Sequence, residues 1–592
     1  MPYTRKLYIK VCIILVAVIL LLPLTTFAQS DTAEVKVFAD VPENHYAFDD
    51  IHSLRSLGIV SGMDNNMFGL GKPIKRSEFL KLLVSLMGWE LINPEKGSFV
   101  DNMDRSKWYY QYIETALKHG VILADSDRFR PEEYITRQDM AVMIVRCLGY
   151  EELARQLTFL QSPFADVSEY KEHITIAKDL GIISGIGDNK FDPMGNALRE
   201  HAAAMMMRMY NRLNRPLNEI HAFYAIKSYP QLYVMDKLDS VSFGWSCLQF
   251  DTDAQKVVLN TTANKYAFTI PQGFSEPVTL AKDKGVSTQL MVFASESDKF
   301  YDEKNNTNVG LISFIFNNPE IRKQVIGDII AQVKSTEKDG EIVSFDGVVI
   351  DFEEMKGETL KTGFNTFLKE LRLEMDKNNI KKLYVTVHPK LKGGQSYYDA
   401  YDYRTIGEIA DRVILMAHDY NAKKLSQSEM DSGYFYTPLT PFVDVYYALK
   451  EITDSKTGVA DVSKVWLQLS FDSAQWEIKD GRIINSTSYS PDYGKIRDRI
   501  LNEDGMKDVT VNYSQRYENP YITYSNDEGS SFIIWYEDSR SVLAKIKLAK
   551  MFNIKGISLW RIGTIPDYGE NDEAANYLNV WQKVVEAAGK RD

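Results

Sequence analysis

The stretch Asp346-Gly347-Val348-Val349-Ile350-Asp351-Phe352-Glu353-Glu354 ends an apolar run in carboxylates. In an extended strand Val349, Asp351 and Glu353 share one face, and Val348, Ile350 and Phe352 take the other. Two carboxylates two residues apart on an inward face are costly unless paired or hydrogen-bonded. Their repulsion raises the pKa of one of them, which leaves a proton donor near neutral pH. General acid catalysis on a glycosidic oxygen needs such a donor. Taken alone, a D-x-E is common, and a metal-binding or simply solvated strand end reads equally well from it.

A second set of residues recurs. Arg76, Arg137 and Arg199 each open a helical stretch, and Phe68, Phe129 and Phe191 precede them at matching spacings. Arginine offers a planar, permanently charged fork suited to a carboxylate, and a helix N-terminus favours an anion. One such arginine reads as a surface ion pair. Its return at one place in three units points to an anionic ligand.

The arginines lie in an internal repeat. Phe38-Ala39-Asp40-Val41, Phe99-Val100-Asp101-Asn102 and Phe164-Ala165-Asp166-Val167 open the three units. Each continues through an amphipathic stretch to a glycine turn, at Gly58-Ile59-Val60, Gly120-Val121-Ile122 and Gly181-Ile182-Ile183. Such a unit buries little core alone, so the three are expected to pack together.

From about His221 short β-rich runs alternate with helical stretches. Strands are expected at His221–Ile226, Ser240–Trp245, Thr288–Ala294, Gly347–Glu353, Leu383–His388, Arg412–His418, Lys464–Phe471 and Gly556–Ile562. Eight strands alternating with helices predict an α/β (β/α)8 barrel, with its chemistry at the C-terminal strand ends. The long polar stretch from 472 to 535 reads as a small α+β insertion. The fold class is therefore multi-domain: an all-α three-repeat module followed by the barrel.

The repeats resemble S-layer homology (SLH) domains, in the F-x-D-V opening, the F-x-P segment and the T-R-x-(E/D) box. Copy two is clearest, with Phe129-Arg130-Pro131 and Thr136-Arg137-Gln138-Asp139; copy three departs with Leu198-Arg199-Glu200-His201. The resemblance implies a pseudo-threefold module that binds an anionic secondary cell-wall polymer through Arg76, Arg137 and Arg199. The larger part resembles glycoside hydrolase family 18, through its D-G-x-D-x-D-x-E signature, Leu415-Met416-Ala417-His418-Asp419-Tyr420 and Gly556-Ile557-Ser558-Leu559-Trp560. The stretch from Asn519 to Ser541 is similar to the cell-wall and spore-lytic branch, of chitinase-like fold.

That resemblance implies that Glu353 is the general acid/base. Asp351 would orient the substrate's 2-acetamido group, whose own oxygen attacks the anomeric carbon with net retention. Met416, His418 and Asp419 would line the sugar site, and Trp560 would stack on the sugar. Trp245 and Trp476 could line the cleft too, or equally serve as core. Two departures stand out: Val349 replaces an inner Asp, and His418 replaces a Tyr that would hydrogen-bond the acetamide.

The expected partition is a signal peptide over 1–28, repeats over 35–95, 96–160 and 161–214, and the barrel over 221–588. Arg5, Lys6 and Lys10 precede an apolar run from Val11 to Leu24, and Thr26-Phe27-Ala28 offers a cleavage site. The chain would then be secreted to the wall or S-layer surface of a Gram-positive-type bacterium, with no membrane contact after cleavage, as a monomer. Its 592 residues carry a net charge of −12, which argues against nucleic acid as a partner. Three cysteines exclude a disulfide framework. No HExxH pair and no glycine-rich phosphate loop occurs, so no metal and no cofactor is expected. The expected activity is hydrolysis of β-1,4-linked N-acetylglucosamine-containing glycans, peptidoglycan first and chitin second. The alternative is a non-catalytic wall-glycan binder with a degenerate barrel.

Overall fold

The computed structural model describes residues 37–158, 160–391, 398–420, 424–432, 438–569 and 577–590. The expected signal peptide lies outside the described residues. The chain forms two compact units, one of the residues up to Met140 with Pro193–Met207, the other of Ala141–Asp192 with the residues from Arg208 onward. The third repeat, expected inside one module ending at 214, is thus divided between them.

In the first unit the helices Phe48–Ser56, Arg76–Leu86 and Tyr110–Lys118 bury Ile51, Leu54, Phe79, Leu80, Leu83 and Ile113. Equivalent loop residues of the three repeats bond in a ring. Ile74 donates its amide to the Ala197 carbonyl (2.9 Å), Ala197 to Ile135 (3.0 Å) and Ile135 to Ile74 (3.0 Å). That closed triangle is a pseudo-threefold axis built from backbone alone. The Asp of each F-x-D motif folds the aromatic loop of its own repeat. Asp40 accepts the amides of Phe68, Gly69 and Leu70, and Asp101 those of Phe129 and Arg130.

In the second unit Asp166 does the same for Phe191 and Asp192. The segment 141–192 also grips the barrel's outer helices. Asp179 accepts the Tyr446 hydroxyl (2.7 Å) and pairs with Lys450 (2.8 Å), and Lys547 Nζ donates to the Leu148 carbonyl. These bonds explain why this part of the repeats groups with the barrel.

The barrel strands are β1 (Glu219–Tyr224), β2 (Ser240–Asp251), β3 (Ser287–Ser295), β4 (Gly347–Glu353), β5 (Lys382–Val387), β6 (Arg412–Leu415), β7 (Val465–Ser470) and β8 (Gly556–Trp560). They pair in parallel in chain order, and β8 closes on β1. All eight stand where the sequence places them, with ends differing by a few residues. The largest difference is in β2, which runs on past Trp245 to Asp251, and another bears on the site: β6 ends at Leu415, and the Ala417 amide turns back to the Leu415 carbonyl. Met416 still donates its amide to the Val387 carbonyl of β5 (3.0 Å), and Ala417 to Tyr420 then leave the sheet as a loop.

Strand β4 alternates as its sequence requires. Phe352 faces outward onto Phe364 and Phe367 of the helix Gly357–Lys377, while Val349 lies in the interior with Met291, Tyr384, Ile414 and Trp466. Gly347 is obligatory at the strand start, because a Cβ there would sit 2.0 Å from the Lys382 carbonyl oxygen on β5. Between β7 and β8 the chain forms an antiparallel sheet of Ala474–Lys479, Arg482–Ile483, Lys507–Ser514, Asn519–Ser525 and Ser531–Trp535, with the helix Tyr493–Ile500. This is the α+β insertion that the polar stretch announces.

Candidate functional site

Strand β4 delivers Asp351 and Glu353 to the C-terminal mouth of the barrel. Asp351 is buried, and Thr386 on the neighbouring β5 donates its hydroxyl to Asp351 Oδ1 at 2.5 Å. Burial pushes the Asp351 carboxyl up to about 6, against the Thr386 hydrogen bond and the nearby His418. Glu353 moves further the same way. Burial raises it, and the charges of Asp351, Glu354 and Asp419 add to the shift. The upward shift favours the protonated form of Glu353, the state a general acid requires. Its neighbour Glu354 goes the other way, because hydrogen bonds from Ser295, Ser297 and Tyr398 outweigh the effect of burial.

Glu353 opens into a cavity of about 240 Å³ lined by Glu354, His388, Tyr398, Met416, His418, Asp419 and Tyr420. The loop after β6 thus brings Met416, His418 and Asp419 to the same cavity as the acid. Asp419 has a positive φ of 55°, and its carboxylate faces His418 Nδ1 at 3.0 Å. On the other side of the ring, His418 Nε2 meets Gln468 Oε1 at 2.6 Å. Burial lowers the His418 pKa, but Asp419 and Gln468 more than reverse this, so it stands above the ordinary histidine value. Both ring nitrogens of His418 thus face an oxygen acceptor of the protein.

Trp560 ends β8 and lies half-buried over the interior cluster, edge-on to Phe223 with centroids 5.1 Å apart. The two other tryptophans are corrected by the structure. Trp245 is buried among Tyr224, Phe243, Phe274 and Phe345. Trp476 is buried in the core of the inserted sheet with Ile533 and Trp535. Both are packing residues, and neither lines the cavity beside Glu353. Thr386 and Gln468, by contrast, touch the site through Asp351 and His418, although no sequence motif marks them. The available signal was a lone polar residue at an inward position of an apolar strand. Among the described residues no group of three or more His, Cys, Asp or Glu is arranged to hold a metal.

In the first unit the repeat arginines reach from one repeat to the next. Arg76 Nη1 pairs with Asp139 Oδ2 at 2.5 Å, its Nε donates to the Phe129 carbonyl, and its guanidinium lies 5.1 Å from the Phe129 ring centroid. Arg199 repeats the pattern on Glu78 (3.4 Å), the Phe68 carbonyl (3.0 Å) and the Phe68 ring (5.3 Å). Arg137 is buried, and its amide donates to the Gly195 carbonyl at 3.0 Å. Each acidic partner is the fourth residue of the next repeat's T-R-x-(E/D) box, so the box holds the repeats together. A groove of about 230 Å³ remains beside Arg199, lined also by Ser61, Glu78, Lys81 and Trp108.

Comparison with known proteins follows the same division. The model of glycosyl hydrolases family 18 matches residues 220–564, and that of the S-layer homology domain matches 37–80, 103–141 and 163–203. A cortical fragment-lytic enzyme of Bacillus subtilis (strain 168) is 22% identical over 288 residues, 48% of this chain and 59% of that protein. An S-layer protein of Bacillus thuringiensis subsp. finitimus is 26% identical over 194 residues, 32% of this chain and 23% of that protein. The chain thus spans less than two thirds of the length of either relative. The crystal structure of the Bacillus cereus spore cortex-lytic enzyme SleL aligns with a TM-score of 0.46 at 18% identity, over 63% of this chain and 75% of that one.

Proposed function

Since this chain belongs to glycosyl hydrolases family 18 and carries three S-layer homology domains, we propose that it is a secreted, wall-anchored retaining glycoside hydrolase. Its substrates are β-1,4-linked glycans containing N-acetylglucosamine, peptidoglycan before chitin. The observation that carries this reading is the carboxyl pair on β4, in which Glu353 faces a cavity and burial shifts it toward its protonated form.

Glu353 protonates the glycosidic oxygen as the bond to the leaving sugar breaks. The substrate's acetamido oxygen closes on the anomeric carbon, so no enzyme carboxylate serves as nucleophile. Asp351 orients that acetamide and offsets the positive charge of the cyclic intermediate. Glu353, now ionised, takes a proton from the water that opens the intermediate with retention. Trp560 provides an apolar surface for the sugar ring. The likeness to a cortical fragment-lytic enzyme supports peptidoglycan as the first substrate. The anionic wall polymer is held at the groove beside Arg199, where Lys81 adds a cation and Trp108 an exposed aromatic face.

A second reading, a glycan binder that does not cut, is favoured by Val349, which leaves no inner carboxylate beneath Asp351. Incubating the chain with purified peptidoglycan and with chitin oligomers, followed by mass spectrometry of the products, separates the two. New reducing ends with N-acetylated termini are expected. Absence of turnover on both glycans across pH 4–8 selects the binder.

A further inference from the structure

Gln468 is buried in the middle of β7 and belongs to a row of polar groups that crosses the barrel interior. Its Nε2 donates to Ser558 Oγ on β8 at 3.4 Å. Ser558 Oγ lies 2.8 Å from His221 Nδ1 on β1, and His221 Nε2 lies 2.8 Å from Ser242 Oγ on β2. The directions in this row are mutually consistent. Burial pushes His221 down to about 3, so the ring is neutral, with one donor and one acceptor nitrogen. Ser558 donates to the acceptor Nδ1 and receives from Gln468, and His221 Nε2–H donates to Ser242. That leaves the Gln468 carbonyl oxygen turned toward His418.

A neutral imidazole has one N–H and satisfies one oxygen acceptor only. His418 stands between two, Gln468 Oε1 and Asp419 Oδ2. Both contacts become hydrogen bonds when both ring nitrogens carry protons. The charged and titratable groups around the ring are Asp351, Glu353 and Glu354 at the end of β4, His388 after β5, Asp419 on its own loop and Asp472 after β7. Arg561, after β8, faces Asp472. Burial and the proximity of His418 push His388 down to about 4, so it adds no charge.

We propose that His418 is a positioning residue, clamped as an imidazolium between Gln468 and Asp419, whose charge keeps Asp351 ionised so that the shared proton stays on Glu353. A tyrosine at this place could supply a hydrogen bond but no cation. The proposal deepens the hydrolase reading and rests on it for the role of Glu353, though the clamp itself can be observed without turnover.

The test uses the full chain labelled with 15N-histidine, in wild-type, Gln468→Leu and Gln468→Glu forms, with His418→Gln identifying the resonance. Ring protonation and the pH profile of kcat on peptidoglycan are read together. Both His418 nitrogens are expected to stay protonated to higher pH than in an ordinary histidine in the wild type. Gln468→Leu should move the His418 titration and the alkaline limb of kcat down together by about one pH unit, with KM changed less than about twofold. Gln468→Glu should restore both. A neutral His418 ring at pH 6 in active wild-type protein overturns the proposal alone. So does a Gln468→Leu loss of kcat that is equal at every pH. A doubly protonated ring in a chain that turns over neither glycan confirms the clamp but overturns the hydrolase reading, and the catalytic role falls with it.

Discussion

Thr386 donates its hydroxyl to Asp351 Oδ1 across the β4–β5 pair at 2.5 Å, while Val349, the residue below Asp351 on the same inner face, contributes no polar group. Asp351 therefore relies on a hydroxyl and on the cationic ring of His418 to carry its charge in a buried site. A hydrogen bond to the ionised form favours that form. Replacing Thr386 with Val keeps the shape and removes the donor. The Asp351 pKa then rises further above about 6. The acidic limb of the kcat profile should move up by about one pH unit, which at pH 6 lowers kcat roughly fivefold. Profiles of wild type and Thr386→Val measured side by side check this. Coincident limbs would contradict it.

Glu353→Gln should abolish proton donation without disturbing the fold, since among the described residues the side chain makes no hydrogen bond that holds β4 in place. A loss of about 10²–10⁴-fold in kcat is expected, with binding of oligomers retained. Reducing-end assays and calorimetric titration of the variant read the two quantities separately. Turnover equal to wild type would remove Glu353 from the mechanism.

The raised carboxyl pKa values also set the pH dependence of stability. An unfolded Asp titrates near pH 4, whereas Asp351 titrates at about 6 in the fold, and Glu353 is shifted upward as well. A carboxyl raised by folding contributes its full stabilisation below the unfolded pKa and loses it as pH climbs through the folded value. The chain should thus lose stability between pH 4 and 6 at this site, and further as Glu353 ionises. Asp351→Asn removes the burden of a buried charge. It should melt higher than wild type at pH 7, by something on the order of 2 kcal/mol, and gain little at pH 4. An equal gain at both pH values would show that the charge is not its origin.

Much of the architecture was legible because it depends on alternation. In Gly347–Glu353, and in the seven other runs, apolar residues on both faces mark strands buried between interior and helices. The insertion showed itself as a polar stretch with its own strand-like pieces. What sequence could not settle was the facing of residues beyond a strand's regular part. In β2 the register shifts between Phe243 and Ser246, so Trp245 turns to the outer layer although it stands near a functional end. β6 stops before His418, which frees the ring to turn toward Gln468, a partner 50 residues away. The recurring arginines were visible as a pattern, but their ion pairs with Asp139 and Glu78 depend on how the repeats meet.

Those ion pairs separate holding the repeats together from holding a ligand. Arg76 is tied to Asp139, to the Phe129 carbonyl and to the Phe129 ring, so Arg76→Ala removes contacts between two repeats and leaves Asp139 unpaired. A destabilisation of about 1–3 kcal/mol is expected, with any loss of wall binding following from it. Lys81 and Trp108 differ. They line the groove beside Arg199, Trp108 is half-exposed, and Lys81 stands over its ring at 5.7 Å. The double change Lys81→Ala with Trp108→Ala should leave the melting temperature within about 2 °C of wild type, because it touches little buried surface. The same chain should sediment with purified cell-wall sacculi several-fold less than wild type, as one cation and one stacking face are lost. Raised salt should weaken the wild-type interaction and have less effect on the double variant. If the double variant binds sacculi like wild type while Arg76→Ala releases the chain without any loss of stability, the polymer site lies at Arg76 and the groove beside Arg199 is not where the wall is held.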